Sequence, residues 1–164
     1  MGMIYEKISD RIRQNVVIKP IRITIEDIPQ IIEIYKSYWG TIGLFKHSAL
    51  QIIINQKISY AYKINNEIVA FCLLYRDKDI VRIILICVKK EYKGNHLGKS
   101  LLSFCINYCF NLGLKNFSLH VSTTNMPALK LYKKLGFRIN KFIEKYYHDE
   151  NPKDNDAYYM TLHI

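Results

Sequence analysis

Tyr92-Lys-Gly-Asn-His-Leu-Gly-Lys-Ser-Leu-Leu102 is the stretch whose reading decides the fold. It is a short polar loop with glycines at Gly94 and Gly98. It follows an apolar run over residues 80–88 and opens into an amphipathic helical pattern that reaches about residue 112. A strand, a glycine-bearing loop and a helix start together make an anion site. The first helical turn has unpaired N–H groups and a partial positive charge, and both favour phosphate. Lys93 and Lys99 set full charges beside it. Gly94, Asn95, His96, Leu97, Gly98 and Ser100 supply the backbone of the cradle. The stretch points to a phosphorylated ligand.

The chain has 164 residues, enough for one domain with a good core and too few for two ordinary ones. The expected division is an N-terminal arm over residues 1–15 and one domain over 16–164. Apolar residues make up 49%, which excludes extensive disorder. The longest apolar run, residues 83–88, is far short of a membrane span. The first ten residues mix charges with apolar side chains and do not read as a secretory signal. The net charge of +10 suits an anionic partner: a multiply charged cofactor, a nucleic acid or a ribosome surface. The basic residues are spread along the chain rather than gathered in a tail, which weighs against a specific nucleic-acid partner. Cys72, Cys87, Cys105 and Cys109 all sit inside apolar runs with no Cys-x-x-Cys pair. They read as reduced core thiols with no metal to hold, and a cytoplasmic location is expected.

Outward from the loop, strands are expected over residues 16–23, 59–64, 67–75, 80–88, 116–122, 137–145 and 157–163. Pro20 marks the first as an edge strand. Asn65-Asn66 and the 77–79 segment read as hairpin turns. Helices are expected over 24–38, begun by the Thr24/Asp27 pair, and over 48–55, 97–112 and 125–135. Gly113 closes the third as a left-handed cap. A polar loop covers 148–156. The order is an α/β (α+β) pattern: a mixed, mostly antiparallel sheet of about seven strands. The helix after strand 80–88 makes that strand parallel to 116–122, with a right-handed crossover. One parallel pair in an antiparallel sheet can splay, and a cofactor can wedge into the splay.

The loop resembles the acyl-CoA pyrophosphate loop of the GNAT N-acetyltransferases, whose pattern is Gln/Arg-x-x-Gly-x-Gly/Ala. Here it stands as Lys93-Gly-Asn-His96-Leu-Gly98, with Lys93 for the Arg/Gln and His96 for the first glycine. Asn125-Met-Pro-Ala-Leu-Lys-Leu-Tyr132-Lys-Lys-Leu-Gly136-Phe137 resembles the family's Asn-x-x-Ala-x-x-x-Tyr-x-x-x-Gly-Phe segment. Leu119-His120-Val121, Lys145-Tyr146-Tyr147 and Asp156-Ala157-Tyr158-Tyr159-Met160 are similar to the eukaryotic protein N-terminal acetyltransferases. Arg82 stands where that branch usually has a tyrosine. The segment from Tyr38-Trp39 to Gly43 lacks the Phe-Pro-Val type sequence that lines a pocket for an initiator methionine.

The resemblance implies a GNAT fold with helices on both sheet faces. It also implies acetyl-CoA, with no metal, as the cofactor. The backbone of Ile86, Cys87 and Val88 would pair with the pantetheine arm, and Asn125 and Tyr132 would lie near the cofactor. Tyr132 would be the general acid and His120 the general base. Tyr38, Trp39, Arg82, His120, Tyr146 and Tyr147 would line the acceptor site, with the two tyrosines clamping a peptide or protein N-terminus. An auxiliary subunit or a ribosome surface is a further expected partner. Strand alternation independently puts His120 on the polar face of its strand, and an imidazole titrating near 6.5 suits a base. A peptide α-amine titrates at about 7.7–8.0 and lysine near 10.4, so a site with a fixed cation at Arg82 favours the α-amine. Two other readings stay open: acetylation of a lysine or small amine on the same fold, and a non-catalytic CoA-binding or RNA-associated module.

Overall fold

Residues 68–74 are buried without a break, so this central strand has no solvent face and must be covered on both sides. The computed structural model describes residues 18–41, 45–147 and 155–164. The strands are β1 (Ile21–Arg22), β2 (Tyr60–Ile64), β3 (Glu67–Asp77), β4 (Ile80–Val88), β5 (Asn116–Ser122), β6 (Arg138–Ile143) and β7 (Ala157–His163). The helices are α1 (Ile28–Trp39), α2 (His47–Asn55), α3 (Leu97–Asn111) and α4 (Met126–Lys134). The sheet order is β1-β2-β3-β4-β5-β7-β6, antiparallel throughout except for the parallel β4–β5 pair. This is the mixed sheet that the strand–helix–strand unit predicts.

Two cores flank the sheet. On one side Leu101, Leu102, Cys105 and Cys109 of α3 and Leu129 of α4 pack on Cys72, Leu74, Phe117 and Leu119. On the other, Ile28, Ile31, Ile34, Leu50 and Ile53 of α1 and α2 pack on Phe71 and Leu73. All four cysteines are buried free thiols, as their apolar settings require.

Several boundaries differ from the sequence reading, each for a local reason. The first strand shortens to Ile21–Arg22, and residues 16 and 17 lie outside the described part, as does the expected arm. The first helix starts at Ile28, because residues 25–27 form a 3-10 turn. There the Thr24 N–H donates to Asp27 Oδ2 at 3.0 Å. Asp27 is buried and also takes the Lys63 ammonium at 2.6 Å, which pins this turn to β2. Ser59 stays out of β2; its hydroxyl accepts from the Leu74 N–H at 3.0 Å. The last helix begins one residue late because Asn125 caps it, its Oδ1 accepting from the Ala128 N–H at 3.2 Å. Asn65 and Asn66 take positive φ (49° and 67°), which is what a tight hairpin needs. Residues 148–154 of the expected polar loop lie outside the described residues.

Candidate active site

The site begins with a fault in one strand. Leu73 pairs with Leu85 and Leu74 with Ile83, so Ile84 is an extra residue in β4. The bulge switches faces: Ile83 packs toward α3 and α4, whereas Leu85 packs with Cys87 toward α1 and α2. The β4–β5 ladder runs from Ile80↔Asn116 to Ile83↔Leu119 and stops there, although both strands continue. Beyond the bulge the two strands diverge, giving the expected splay.

The gap has polar backbone walls. The Lys89 N–H donates to the Val69 carbonyl at 2.8 Å. With the Phe71↔Cys87 register, this turns the Cys87 backbone toward β3 and the N–H and C=O groups of Ile86 and Val88 into the gap. The Val88 carbonyl is taken by the Tyr38 hydroxyl at 2.6 Å. On the far wall, Thr123 N–H to Asp156 O (3.0 Å) fixes the β5–β7 alternation, turning the backbone of His120 and Ser122 toward β4. An extended ligand bearing amides can satisfy these groups as a strand would. Cys87 departs from the sequence reading here. Neither its backbone nor its side chain faces the gap, and burial pushes its thiol up to about 12.

The anion cradle stands at one end of this gap. A 3-10 turn at residues 90–92 leads through Gly94 (φ 81°) to His96, which adopts the left-handed conformation (φ 58°, ψ 11°) and caps α3. A side chain there meets the geometry usually left to glycine, at a cost of roughly 1 kcal/mol. The Asn95 amide donates to the Tyr92 carbonyl at 3.2 Å and so shapes the loop from within. Leu97 is buried, leaving its backbone for the cradle. Gly98 lets α3 lie close on the strand: a Cβ placed there would sit 3.4 Å from Val88 and 3.9 Å from Ile86. Ser100 shares a hydrogen bond with the Tyr62 hydroxyl at 2.8 Å. The Lys93 ammonium lies 4.6 Å from the centre of the Tyr38 ring, and Lys99 is exposed in the first turn of α3.

The face of β5 opposite α3 carries His120. Its ring stacks on Tyr146 at 4.3 Å and leans on Tyr159 at 5.1 Å. Tyr146 in turn meets Tyr147 edge-on at 4.9 Å. The turn bearing both tyrosines is pinned twice: Lys145 N–H to Asp156 Oδ1 at 2.9 Å, and Tyr147 N–H to Asn155 O at 2.8 Å. Burial lowers the His120 pKa below its ordinary value, and the Arg82 guanidinium adds to the shift. Arg82 itself holds Asp77 at 2.6 Å. Burial raises Tyr147 to about 12 and raises Tyr132 further, so both phenols keep their protons at neutral pH. Tyr132 is 6% exposed and its ring meets Phe137 edge-on. Every sealed polar side-chain atom among the described residues has a hydrogen-bond partner, so the unpartnered Tyr132 hydroxyl still reaches solvent.

The structure thus brings His120, Arg82, Tyr146 and Tyr147 together and sets the loop 93–100 beside Ile86 and Val88. It gives two other residues different work. Tyr38 is tied to the Val88 carbonyl at the cofactor end, and Asn125 is a helix cap. Trp39 is 40% exposed and packs on Tyr35 and Tyr38. Ile42 and Gly43 of the same segment lie outside the described residues. Sequence reasoning passed over the Ile84 bulge and assigned no role to Tyr159 or Tyr62. The run Ile83-Ile84-Leu85-Ile86 carries a trace of the first, since four apolar residues in a row break the alternation. Neither role can be read locally: Tyr159 meets His120 through strand pairing, and Tyr62 reaches Ser100 across the sheet-to-helix packing.

The fold is that of an acetyltransferase. The model of the acetyltransferase (GNAT) family matches residues 28–137, and the chain belongs to that family. It is similar to a putative [ribosomal protein bS18]-alanine N-acetyltransferase of Bacillus subtilis, 29% identical over 84% of this chain and 91% of the relative. Among solved structures, Ard1 from Thermoplasma volcanium superposes with a TM-score of 0.80 at 20% identity, covering 91% of this chain and 99% of that one. Naa50 of Arabidopsis thaliana, in complex with the bisubstrate analogue CoA-Ac-MVNAL, superposes at 0.78 and 22% identity, covering 91% and 100%. Among the described residues no group of His, Cys, Asp and Glu could hold a metal, and no helix is long and apolar enough to cross a membrane.

Proposed function

We propose that this acetyltransferase acts on the α-amino group of a peptide or protein N-terminus, with acetyl-CoA as donor, through a ternary complex. The observation that carries the reading is the gap itself. The backbone of Ile86 and the N–H of Val88 open on one wall, and His120 stands on the other against Tyr146. The donor supplies an activated acetyl thioester. The start of α3, with Lys93 and Lys99, fits its pyrophosphate, and the Ile86 and Val88 backbone fits its amide-bearing arm. His120, held neutral by burial and Arg82, accepts the proton that the α-ammonium must lose. Tyr132, kept protonated by burial, gives its proton to the departing sulfur. Tyr146 and Tyr147 form an aromatic wall for the acceptor's first residues. The alanine N-acetyltransferase activity ascribed to the Bacillus relative and the peptide portion of the Naa50 ligand support an N-terminal acceptor.

The test is a panel of peptides with free N-termini against the same peptides blocked and carrying one internal lysine. Faster acetylation of the free termini is expected. Turnover of the blocked lysine peptides or of a polyamine, with inert free termini, would overturn the α-amine reading and leave the family assignment standing.

A further inference from the structure

The β5–β7–β6 half of the sheet carries two rows of polar side chains on its face away from α3 and α4. The register pairs Arg82 with Ser118, Ser118 with Thr161, and Thr161 with Arg138, a row across four strands. Next to it, His120 pairs with Tyr159 and Tyr159 with Lys141. The row between them, Ile83, Leu119, Met160 and Ile139, runs toward the other face, where the first three are in the α3/α4 core. Alternation therefore sends both polar rows to the His120 side. Arg138 and Lys141 are three residues apart and would ordinarily face opposite ways. The irregularity at Asn140 puts them on one face.

The result is a cationic strip around the proposed base. Arg138 and Lys141 are exposed, and among the described residues neither forms an ion pair. Arg82 keeps 51% of its side chain exposed while holding Asp77. Strands about 4.8 Å apart put the ends of the Arg82–Arg138 row roughly 14 Å apart, the reach of about four extended residues. Along the chain these charges look scattered; strand pairing gathers them.

We infer that this strip receives the residues that follow the acceptor's α-amine and selects acceptors with Asp or Glu at about their second to fifth positions. The inference rests on the proposed α-amine acetylation and adds the charge of the substrate. Cations on both sides of His120 attract a carboxylate-bearing chain and speed its encounter, an effect that salt screens.

The experiment compares Ser-Glu-Glu-Asp-Gly and Ser-Gly-Gly-Ser-Gly peptides, identical beyond residue five, at low and high salt. The acidic peptide should have kcat/KM about five- to tenfold higher at low salt, falling toward parity at high salt. Arg138→Glu with Lys141→Glu should abolish the preference or turn it toward a Ser-Lys-Lys peptide, with the neutral peptide's rate held within about twofold. That neutral rate reports intact folding in the same assay. Equal kcat/KM on both peptides, or a preference untouched by the double variant, overturns the inference while α-amine acetylation stands. If no free N-terminus is acetylated, the α-amine reading fails and this inference with it. If single-stranded RNA inhibits the wild type but not the double variant, and acidic peptides gain nothing, the strip is a nucleic-acid surface and the inference is wrong.

Discussion

The imidazole of His120 lies nearly parallel to the phenol ring of Tyr146, with centroids 4.3 Å apart and planes 12° apart. One ring comes from β5 and the other from the turn beyond β6, and Asp156 and Asn155 pin that turn. The contact orients the imidazole through its face, and among the described residues neither ring nitrogen is held by a hydrogen bond. An aromatic pair of this kind is worth about 0.5–1.5 kcal/mol, up to roughly a tenfold change in a population or rate. Tyr146→Phe should therefore keep kcat within about twofold, since the stack survives. Tyr146→Ala should lower kcat several-fold and raise the acceptor KM, with the acetyl-CoA KM unchanged. Steady-state kinetics on both substrates would show this, and a Phe variant as impaired as Ala would assign the effect to the hydroxyl instead.

Arg82 acts on His120 by charge rather than by contact. The imidazole pKa is lowered first by burial and then by this guanidinium. Removing a nearby cation makes the protonated ring less costly, so Arg82→Gln should move the His120 pKa upward. Burial still acts in that variant, so part of the lowering should remain. The acidic limb of the kcat profile should shift to higher pH with it. Titrating the His120 ring by NMR in the two proteins measures the shift directly, and an unmoved or lower pKa in Arg82→Gln would refute the coupling.

Much of this arrangement is legible in the sequence, and the reasons it stops are physical. β4, β5 and β7 fall on the residues the sequence reading gives them, and β5 shows why most plainly, with Phe117, Leu119 and Val121 alternating onto one buried side. The loop before α3 is equally readable, since glycines and lysines at a helix start have few other uses. The face switch at Ile84 is not, because every neighbour is apolar and no polar residue marks which side is out. Nor is the start of α1 at Ile28 foreshadowed by the Thr24/Asp27 pair, which instead closes a 3-10 turn. The stack of His120 on Tyr146 and the Arg82–Arg138 row depend on which strands become neighbours. That is a property of the closed sheet and not of any window of residues.

His96 supplies a stability prediction. It holds φ 58° in the position where the family pattern has glycine. Glycine reaches that conformation without steric cost but loses more chain entropy on folding, so the two effects oppose each other. With the left-handed penalty at about 1–2 kcal/mol for an ordinary side chain, relief should win by several tenths of a kcal/mol. His96→Gly should raise Tm by a few degrees with the acetyl-CoA KM unchanged or lower. His96→Val, whose branched Cβ resists this region, should lower Tm by more than the glycine raises it. Calorimetry of the three proteins decides, and a glycine variant less stable than wild type would mean that the imidazole makes up for its own strain.

The Tyr38 hydroxyl gives the last prediction. It donates to the Val88 carbonyl at 2.6 Å, joining the end of α1 to the end of β4 across 50 residues of chain. Burial raises this phenol to about 12, so it remains a donor at any working pH. Its ring also lies under two ammonium groups, Lys93 at 4.6 Å and Lys90 at 5.2 Å, and Lys90 reaches back to the Ser37 carbonyl at 3.0 Å. The ring and the hydroxyl therefore do separable things: one seats the loop's charges and the other fixes the strand edge. Tyr38→Phe removes only the hydroxyl and leaves the Val88 carbonyl without its partner, a loss of about 0.5–1.5 kcal/mol. The expected result is a several-fold rise in the acetyl-CoA KM with a smaller change in kcat. Tyr38→Leu removes the ring as well, so its acetyl-CoA KM should rise further and grow less sensitive to salt, because Lys93 is no longer seated. If both variants match wild type in acetyl-CoA KM and salt dependence, the clasp serves only to pack α1 against the sheet.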